Sequence, residues 1–594
     1  MNASRVTRLS VRHGIVWLLA ASPVAAGFGE GFSDRYWPAF PAPSRIVLSE
    51  SHNRLEFGEH LLLQTLSGLV AHRARTRGAK ELIWIGIDSP SYDEWRRRFL
   101  EYSGACCDPR IYTVWELVDR YRDTGLVKGY ILCRKDPADR ALYEGVPADW
   151  SVNAATALCP LLSGVAVEEE LEERARASGL RMLVDVRDKD EAWLWGNYGR
   201  RFSRRVLARQ DPKSAVMCQE VVAFQAGLSS SCDALYDRAL GAMRPGSPVL
   251  GWGFGLENEQ TGPSSRYGLL QTATNWCINL PLLSSGKTGL RYPFRPFALP
   301  ATTGPEDSGA RYVSFVLSDG DNVQWLMLNF CRGDEAYQYW GSPDRGRMPF
   351  GWTIPAMDLL QLCPYALDYL RDTATPNDDF VLAGGGYYYP DEFGAARPKA
   401  DALVLHARRL AKYMQRCGLT LLMVNCQEWD SPGALDAYAV YAREIPFLEG
   451  ILVVQYAPYT AGGGAVRWVT RRDGCRIPVI TARHAIWSNR HGVEREGSPG
   501  RVADDLGRWA SEPCRSSEDR FAWTVVHAWS WFRHVAPAVD AAEEEVPQQS
   551  YARSDDIARG YRPALWCSER LPSNVHVVTP RELVARLREA GNGG

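Results

Sequence analysis

From Arg311 onward the chain is divided into short apolar runs, each ending in polar or aromatic residues and separated from the next by helical or loop sequence. Eight can be read: Val313 to Leu317, Phe350 to Ile354, Phe380 to Ala383, Thr420 to Val424, Ile451 to Val454, Ile477 to Ile480, Phe521 to Val526 and Val575 to Val578. Runs of this length with no polar face suit strands covered on both sides, the condition of a parallel sheet under helices. Helical signals fall between and after them. Leu403, Ala407, Leu410, Ala411 and Met414 form one apolar stripe. Thr579, Pro580 and Glu582 supply an N-cap, a first-turn proline and a capping box ahead of Leu583, Val584 and Leu587. Eight strand-helix units in roughly 280 residues predict a (β/α)8 TIM-like barrel, with an open doubly wound sheet as the alternative.

The full 594 residues are too many for one core. Ahead of the barrel, Leu61 to Ala71 reads as an amphipathic helix, and Leu82 to Ile87, Tyr130 to Cys133 and Arg181 to Val186 read as strands of small α/β modules. The expected division is a signal peptide over 1–26, α/β modules over 27–105, 106–180 and 181–300, the last including a linker, and the barrel over 301–594. Proline-rich Tyr292 to Pro300 and polar Thr302 to Gly309 mark the join, and Trp531 to Leu571, with its acidic run Glu543 to Glu545, reads as an excursion on the barrel rim.

Arg5, Arg8 and Arg12, then apolar Ile15 to Ala21, then Val24, Ala25 and Ala26 have the order of a secretory signal, which predicts a periplasmic or secreted protein. No other segment offers about 20 uninterrupted apolar residues, so membrane insertion is not expected. Removing the three arginines takes the formal charge from −2 to −5, which argues against a nucleic-acid partner. The 14 cysteines contain no Cys-x-x-Cys pair, so a structural zinc site is not expected and several buried unpaired thiols are.

Polar residues at strand carboxyl ends carry the chemistry of such a fold. The first strand end reads Ser318, Asp319, Gly320, Asp321, Asn322; the third gives Tyr387, Tyr389, Asp391 and Glu392 after Gly384 to Gly386; the fourth gives Asn425, Glu428 and Trp429; the seventh gives His527 and Trp529. Three glycines permit positive φ and close backbone approach, and tyrosines offer flat faces with hydroxyl handles, as a sugar site requires. The same stretch could equally be a turn packed on a neighbouring domain. Glycosidic hydrolysis needs one protonated and one ionised carboxyl group. Asp319 continues the parity of Val313, Phe315 and Leu317, and Glu428 that of Leu422, Val424 and Cys426, which should point them toward the barrel axis or the mouth above it, so these two are the expected pair, with Asp321 and Glu392 as substitutes. Tyr387, Tyr389, Asn322, Asn425, Trp429, His527 and Trp529 are the expected sugar contacts.

Other chemistries lack their residues. Pro281 stands where a phosphate loop ending in Gly286, Lys287 and Thr288 needs glycine, and Leu256 replaces the third glycine of a dinucleotide fingerprint begun by Gly251 and Gly253. No Gly-x-Ser-x-Gly elbow occurs. Neither His406 nor His484 has a histidine partner at helical spacing, so no metal and no cofactor is expected.

Gly384, Gly386, Tyr387, Tyr389 and Pro390 resemble the name-giving motif of the GxGYxYP family of glycoside hydrolases. Ser318 to Asn322 with Gln324 and Trp325 is similar to its first-strand segment, and Thr65, Leu66, Gly68, Leu69 and Val70 to its amino-terminal helix. The resemblance implies a carboxy-terminal catalytic barrel after small domains, in an exported bacterial protein acting on a polysaccharide or oligosaccharide. The chain departs from the commonest barrel glycosidases in having His527, Trp529 and Trp531 where an acid ends strand seven. Two other functions stay open: a metal-assisted carbohydrate deacetylase or esterase using the Asp319 and Asp321 loop, and a non-catalytic glycan-binding protein.

Overall fold

The computed structural model describes residues 35–592, apart from 215–216, 287–293, 295–308, 491, 536–544 and 547–554. The expected signal peptide, nearly all of the linker and, within the acidic excursion, 536–544 and 547–554 lie outside the described residues. Every apolar run is a strand: β1 (Arg311–Leu317), β2 (Phe350–Ile354), β3 (Asp378–Ala383), β4 (Leu421–Cys426), β5 (Gly450–Gln455), β6 (Arg476–Thr481), β7 (Phe521–Val526) and β8 (Val575–Val577). They belong to one curled, largely parallel sheet in the order β6-β5-β4-β3-β2-β1-β7. Just beyond β6, His484–Ile486 pairs with β7, so the segment from Arg476 to Ile486 meets β5 through its first part and β7 through its second. An antiparallel strand, Val466–Thr470, lies outside β6.

The expected (β/α)8 arrangement is met in part. β7 pairs with β1 from Tyr312 to Leu317 and occupies that whole edge. β8 therefore pairs with the other edge of β1, at Arg311 to Val313, where β2 is absent because it reaches only Val316 and Leu317. It does not stand between β7 and β1, where an eight-stave ring would need it.

Residues alternate between two cores. Val313, Phe315 and Leu317 of β1, Leu382 of β3 and Leu422 and Val424 of β4 join the main core with the covering helices. Tyr312 and Val316, Val381, Leu421, Leu452 and Val454, Ile480, and Phe521, Trp523 and Val525 join a second core with Leu583, Val584 and Leu587 of the last helix, Pro580–Asn592. That helix touches β1, β3, β6 and β7, which are not all neighbours, so it lies across the hollow of the curl. Its place is the strands' amino-terminal end. A Cβ on Gly351 would lie 2.6 Å from Pro580 and one on Gly450 3.0 Å from Val584, while the Arg581 amide donates to Asp379 at 2.8 Å. The helix closes that end, and the carboxyl end is left for the loops. Its cap is as the sequence foretells, with the Glu582 amide donating to Thr579 Oγ1.

Three small parallel sheets precede the large one. Arg45–Ser51 pairs with Glu81–Gly86 and Cys106–Tyr112; Tyr130–Cys133 with Val165–Glu168 and Met182–Asp185; and Leu207–Ala208 with Gly227–Leu228 and Pro248–Leu250, the last also pairing with Leu270–Thr272. Strand Cys106–Tyr112 lies beyond the expected 105/106 division and Met182–Asp185 beyond 180/181, so sheet pairing crosses both. The helix Phe57–Arg77 is longer than expected and is buried without interruption from Leu61 to Ala71. It is enclosed rather than amphipathic because other elements cover it on several sides, including the helix Cys218–Phe224. Gly68 permits that approach: a Cβ there would meet the Gln219 carbonyl at 2.6 Å. All fourteen cysteines are free thiols, nine of them buried.

Candidate active site at the open end of the large sheet

Strand parity does not bring Asp319 to the mouth. Val313, Phe315 and Leu317 face the covering helices, and so do Leu422, Val424 and Cys426 of β4. The expected inward direction was reversed for both strands, because two apolar faces look alike in sequence. Glu428 follows its parity outward and is exposed. Asp319 escapes it, because its backbone turns into the left-handed region at φ 63°. A left-handed aspartate costs about 1 kcal/mol or more. The turn is tight: a Cβ on the next residue, Gly320, would lie 2.3 Å from Thr353 backbone.

The half-buried Asp319 carboxylate is fixed by two donors. Trp529 Nε1 donates to Oδ1 at 2.8 Å, and the Ser318 hydroxyl donates to Oδ2. Ser318 Oγ in turn accepts from the Ala528 amide at 3.1 Å, tying β1's end to β7's. Asp321 stands by Tyr387, and burial, then the Asp319 and Glu257 charges, push its carboxyl well above the usual range.

Glu257 is the residue that sequence reasoning missed. It opens the helix Glu257–Arg266, which follows strand Pro248–Leu250 of the four-stranded sheet. Burial, then the Asp319 charge, raise its carboxyl to about 7. A signal was present in Gly251, Gly253 and Gly255, a glycine-rich turn from strand to helix, where ligands gather in parallel α/β structures.

Tyrosines wall these acids. Tyr387, Tyr389 and Tyr459 all feel the Glu257 and Asp321 charges, and burial raises all three hydroxyls. Tyr456 feels Glu257 as well. The Tyr389 hydroxyl is buried with no hydrogen-bond partner. Trp252 meets Tyr387 edge-on at 4.8 Å, and Trp487 meets Tyr459 edge-on at 4.8 Å. His527 stacks on Trp487 at 4.0 Å, bonds the Ser530 hydroxyl through Nδ1 at 2.7 Å, and is lowered to about 4 mainly by burial. Two cations border the recess on its tryptophans: Arg490 lies over Trp487 at 4.9 Å and Arg559 over Trp529 at 5.7 Å.

The residues of the glycine-tyrosine motif divide between packing on a neighbouring sheet and facing the acids. Gly386, at φ 101°, lets the backbone pair with the four-stranded sheet: the Tyr387 amide donates to the Gln271 carbonyl at 2.7 Å and the Gln271 amide returns a bond at 3.1 Å. A Cβ on Gly386 would lie 2.5 Å from that Gln271 oxygen. Tyr388 is a packing residue, hydrogen-bonded to Tyr441 at 2.9 Å and set against Phe393 and His406. Only Tyr387 and Tyr389 reach the acids.

The other expected residues lie apart from this group. Glu392 is 3.6 Å from Arg266 and lines a separate cleft of about 570 Å³ with Asp233, Asn258, Glu259 and Gln427. Asp391 accepts from the Gln427 and Glu428 amides at 3.2 and 3.0 Å and so binds the third loop to the fourth. Asn322 caps the turn Val323–Trp325 by accepting from the Trp325 amide. Trp429 packs under Arg467 at 5.0 Å. Asn425 shares the parity of Leu421 and Met423, toward the hollow, and its buried Oδ1 has no partner. The structure thus brings Asp319, Asp321, Tyr387, Tyr389, His527 and Trp529 to one recess, and leaves Glu428, Glu392, Asn322 and Trp429 outside it. Among the described residues no three or more His, Cys, Asp or Glu side chains are placed to hold a metal ion.

Residues 309–546 match the profile of the GxGYxYP putative glycoside hydrolase C-terminal domain, and residues 127–202 that of the GxGYxYP_N second domain. A crystal structure described as a putative hydrolase from Bacteroides thetaiotaomicron VPI-5482 superposes with a TM-score of 0.73 at 24% identity, covering 94% of this chain and 98% of that one. At that identity the likeness speaks to the fold. No curated protein matches the chain.

Proposed function

The chain belongs to the GxGYxYP family, whose carboxy-terminal domain is described as a putative glycoside hydrolase, and from that premise we propose that it cleaves glycosidic bonds with Glu257 and Asp319 as its two carboxyl groups. The observation that carries this reading is their electrostatic contact in a recess walled by tyrosines. Glu257, raised to about 7, keeps a proton near neutral pH and is the general acid for the leaving oxygen. Asp319, oriented by Trp529 and Ser318, is the base or nucleophile. Asp321, its carboxyl pushed well above the usual range by burial and by the Asp319 and Glu257 charges, stands by Tyr387 in the same recess. Tyr459 and Trp487 offer ring faces, and His527 and Asn425 offer polar atoms to hydroxyls. With three carboxyl groups acting on one another at its centre, the recess suits a neutral sugar, since a uronate or sulfate placed there would meet like charge.

In this reading the curled sheet works as a (β/α)8 barrel does, with its floor plugged by the last helix and its chemistry at the strands' carboxyl ends. The reading includes export, supported by the Arg5 to Ala26 pattern. Among the described residues no helix is long and apolar enough to cross a membrane. The test is turnover of a panel of neutral polysaccharides and aryl glycosides by the wild-type protein, E257Q and D319N, with product anomers followed by NMR. Activity in the wild type and its loss in both variants supports the assignment. Binding without turnover in the wild type would make the protein a glycan-binding module instead.

A further inference from the structure

A second cleft, of about 450 Å³, lies in the amino-terminal half and is lined by His72, Arg73, Arg77 and Lys128, with Thr76 and Ser163 among the remaining residues and no acid. Among the described residues, the Arg73, Arg77 and Lys128 side chains have neither an ion pair nor a hydrogen bond. Arg75 beside them is engaged by the Ala223 and Phe224 carbonyls, so partners for arginine are within reach of this helix and the cleft residues are not using them. Three helices end here by their carbonyl ends, Phe57–Arg77, Val114–Asp123 and Ser151–Leu162, with caps at Gly78, Thr124 and Ser163. Each contributes roughly half a negative charge, about 1.5 in all. Three full cations exceed that sum, and the cleft is left net positive. His72, lowered to about 4 mainly by burial with Arg75 and Arg77 adding to it, adds no fourth cation near neutral pH, and its Nδ1 is met by the Arg75 guanidinium at 3.5 Å.

We propose that this cleft binds a small organic molecule through a phosphate or sulfate group, held by Arg73, Arg77 and Lys128. Unpaired guanidinium and ammonium groups match a tetrahedral oxyanion. The volume exceeds what a bare ion fills and falls within the range of small-molecule sites. The site is independent of the glycosidase reading, since none of its residues belongs to the recess.

Calorimetric titration of the full chain at fixed ionic strength, with D-glucose 6-phosphate, D-glucose 6-sulfate, inorganic phosphate and D-glucose as probes, tests it. Expected is a Kd below about 1 mM for at least one oxyanion and binding at least about tenfold weaker for D-glucose. The tighter oxyanion identifies its source as phosphate ester, sulfate ester or free ion. The R73Q/K128Q variant should bind at least about tenfold more weakly while keeping its circular dichroism. Should the double variant not fold, K128Q at the exposed edge should still weaken binding severalfold. No heat beyond that of added chloride in the wild type, or undiminished binding in the variants, overturns the proposal. Variants that melt earlier without any change in oxyanion binding would show that these cations serve the helix ends alone, and would overturn it as well.

Discussion

Two groups of acids near the carboxyl ends of strands have opposite surroundings. Asp391, Glu392 and Glu428, after β3 and β4, are met by backbone amides, by Arg266 and by open solvent. Glu257, Asp319 and Asp321 are met by tyrosines, a tryptophan and one another. In the first group amides and Arg266 offset the charges of Asp391 and Glu392 in part, although burial still raises both carboxyls, and the amide bonds of Asp391 join loops. In the second, burial and like charge push protons onto some carboxyl groups while hydrogen bonds orient another. That division of protonation states is what acid-base chemistry requires. Residue type is common to both groups, and environment separates them.

The comparison breaks most decisively at Asp319. D319N should lower kcat by about 10³-fold or more while leaving glycan binding within a few fold, since the amide keeps the shape and loses the charge. E257Q should cost about 10²-fold to 10⁴-fold on substrates with poor leaving groups and much less on activated aryl glycosides, which need no proton. In the wild type, activity should fall as pH rises past about 7, as Glu257 loses its proton, and E257Q should lack that alkaline limb. Stability carries the same sign. Folded Glu257 holds its proton to about 7 and the unfolded side chain releases it near 4.5, so folded-state stability declines as pH rises across that window. E257Q should therefore melt above the wild type at pH 8, and thermal denaturation at pH 5 and pH 8 checks it.

A smaller, structural effect is expected at Gly386. G386A places a Cβ against the Gln271 carbonyl in a left-handed backbone and should cost about 2–3 kcal/mol, read by denaturant unfolding. D391N should cost about 1–2 kcal/mol by weakening the two amide bonds that join the third and fourth loops. The smallest effect belongs to E428Q, whose side chain is exposed and away from the recess: kcat/KM should stay within about twofold. A large loss in E428Q with none in E257Q would return the catalytic role to the fourth strand.

The β-strands were legible because strands buried on both faces must be apolar throughout, and each of the eight runs is one. The last helix was legible down to its cap at Thr579. The direction of side chains was not. With both faces apolar, alternation says which residues share a face but not whether that face looks into the hollow or toward the helices, and Asp319 and Glu428 were both misdirected by it. The long helix was misread for a related cause, since Leu61 to Ala71 is enclosed by partners that periodicity cannot name.

Local sequence determined the strands, the helix caps and the glycine-permitted turns, because these depend on neighbours a few residues away. Only the tertiary structure decided that Glu257, from a different sheet and an earlier stretch of chain, stands beside Asp319. The charge felt by a carboxyl group depends on distance through space, and the left-handed turn at Asp319 and the bridge from Tyr387 to Gln271 set that distance.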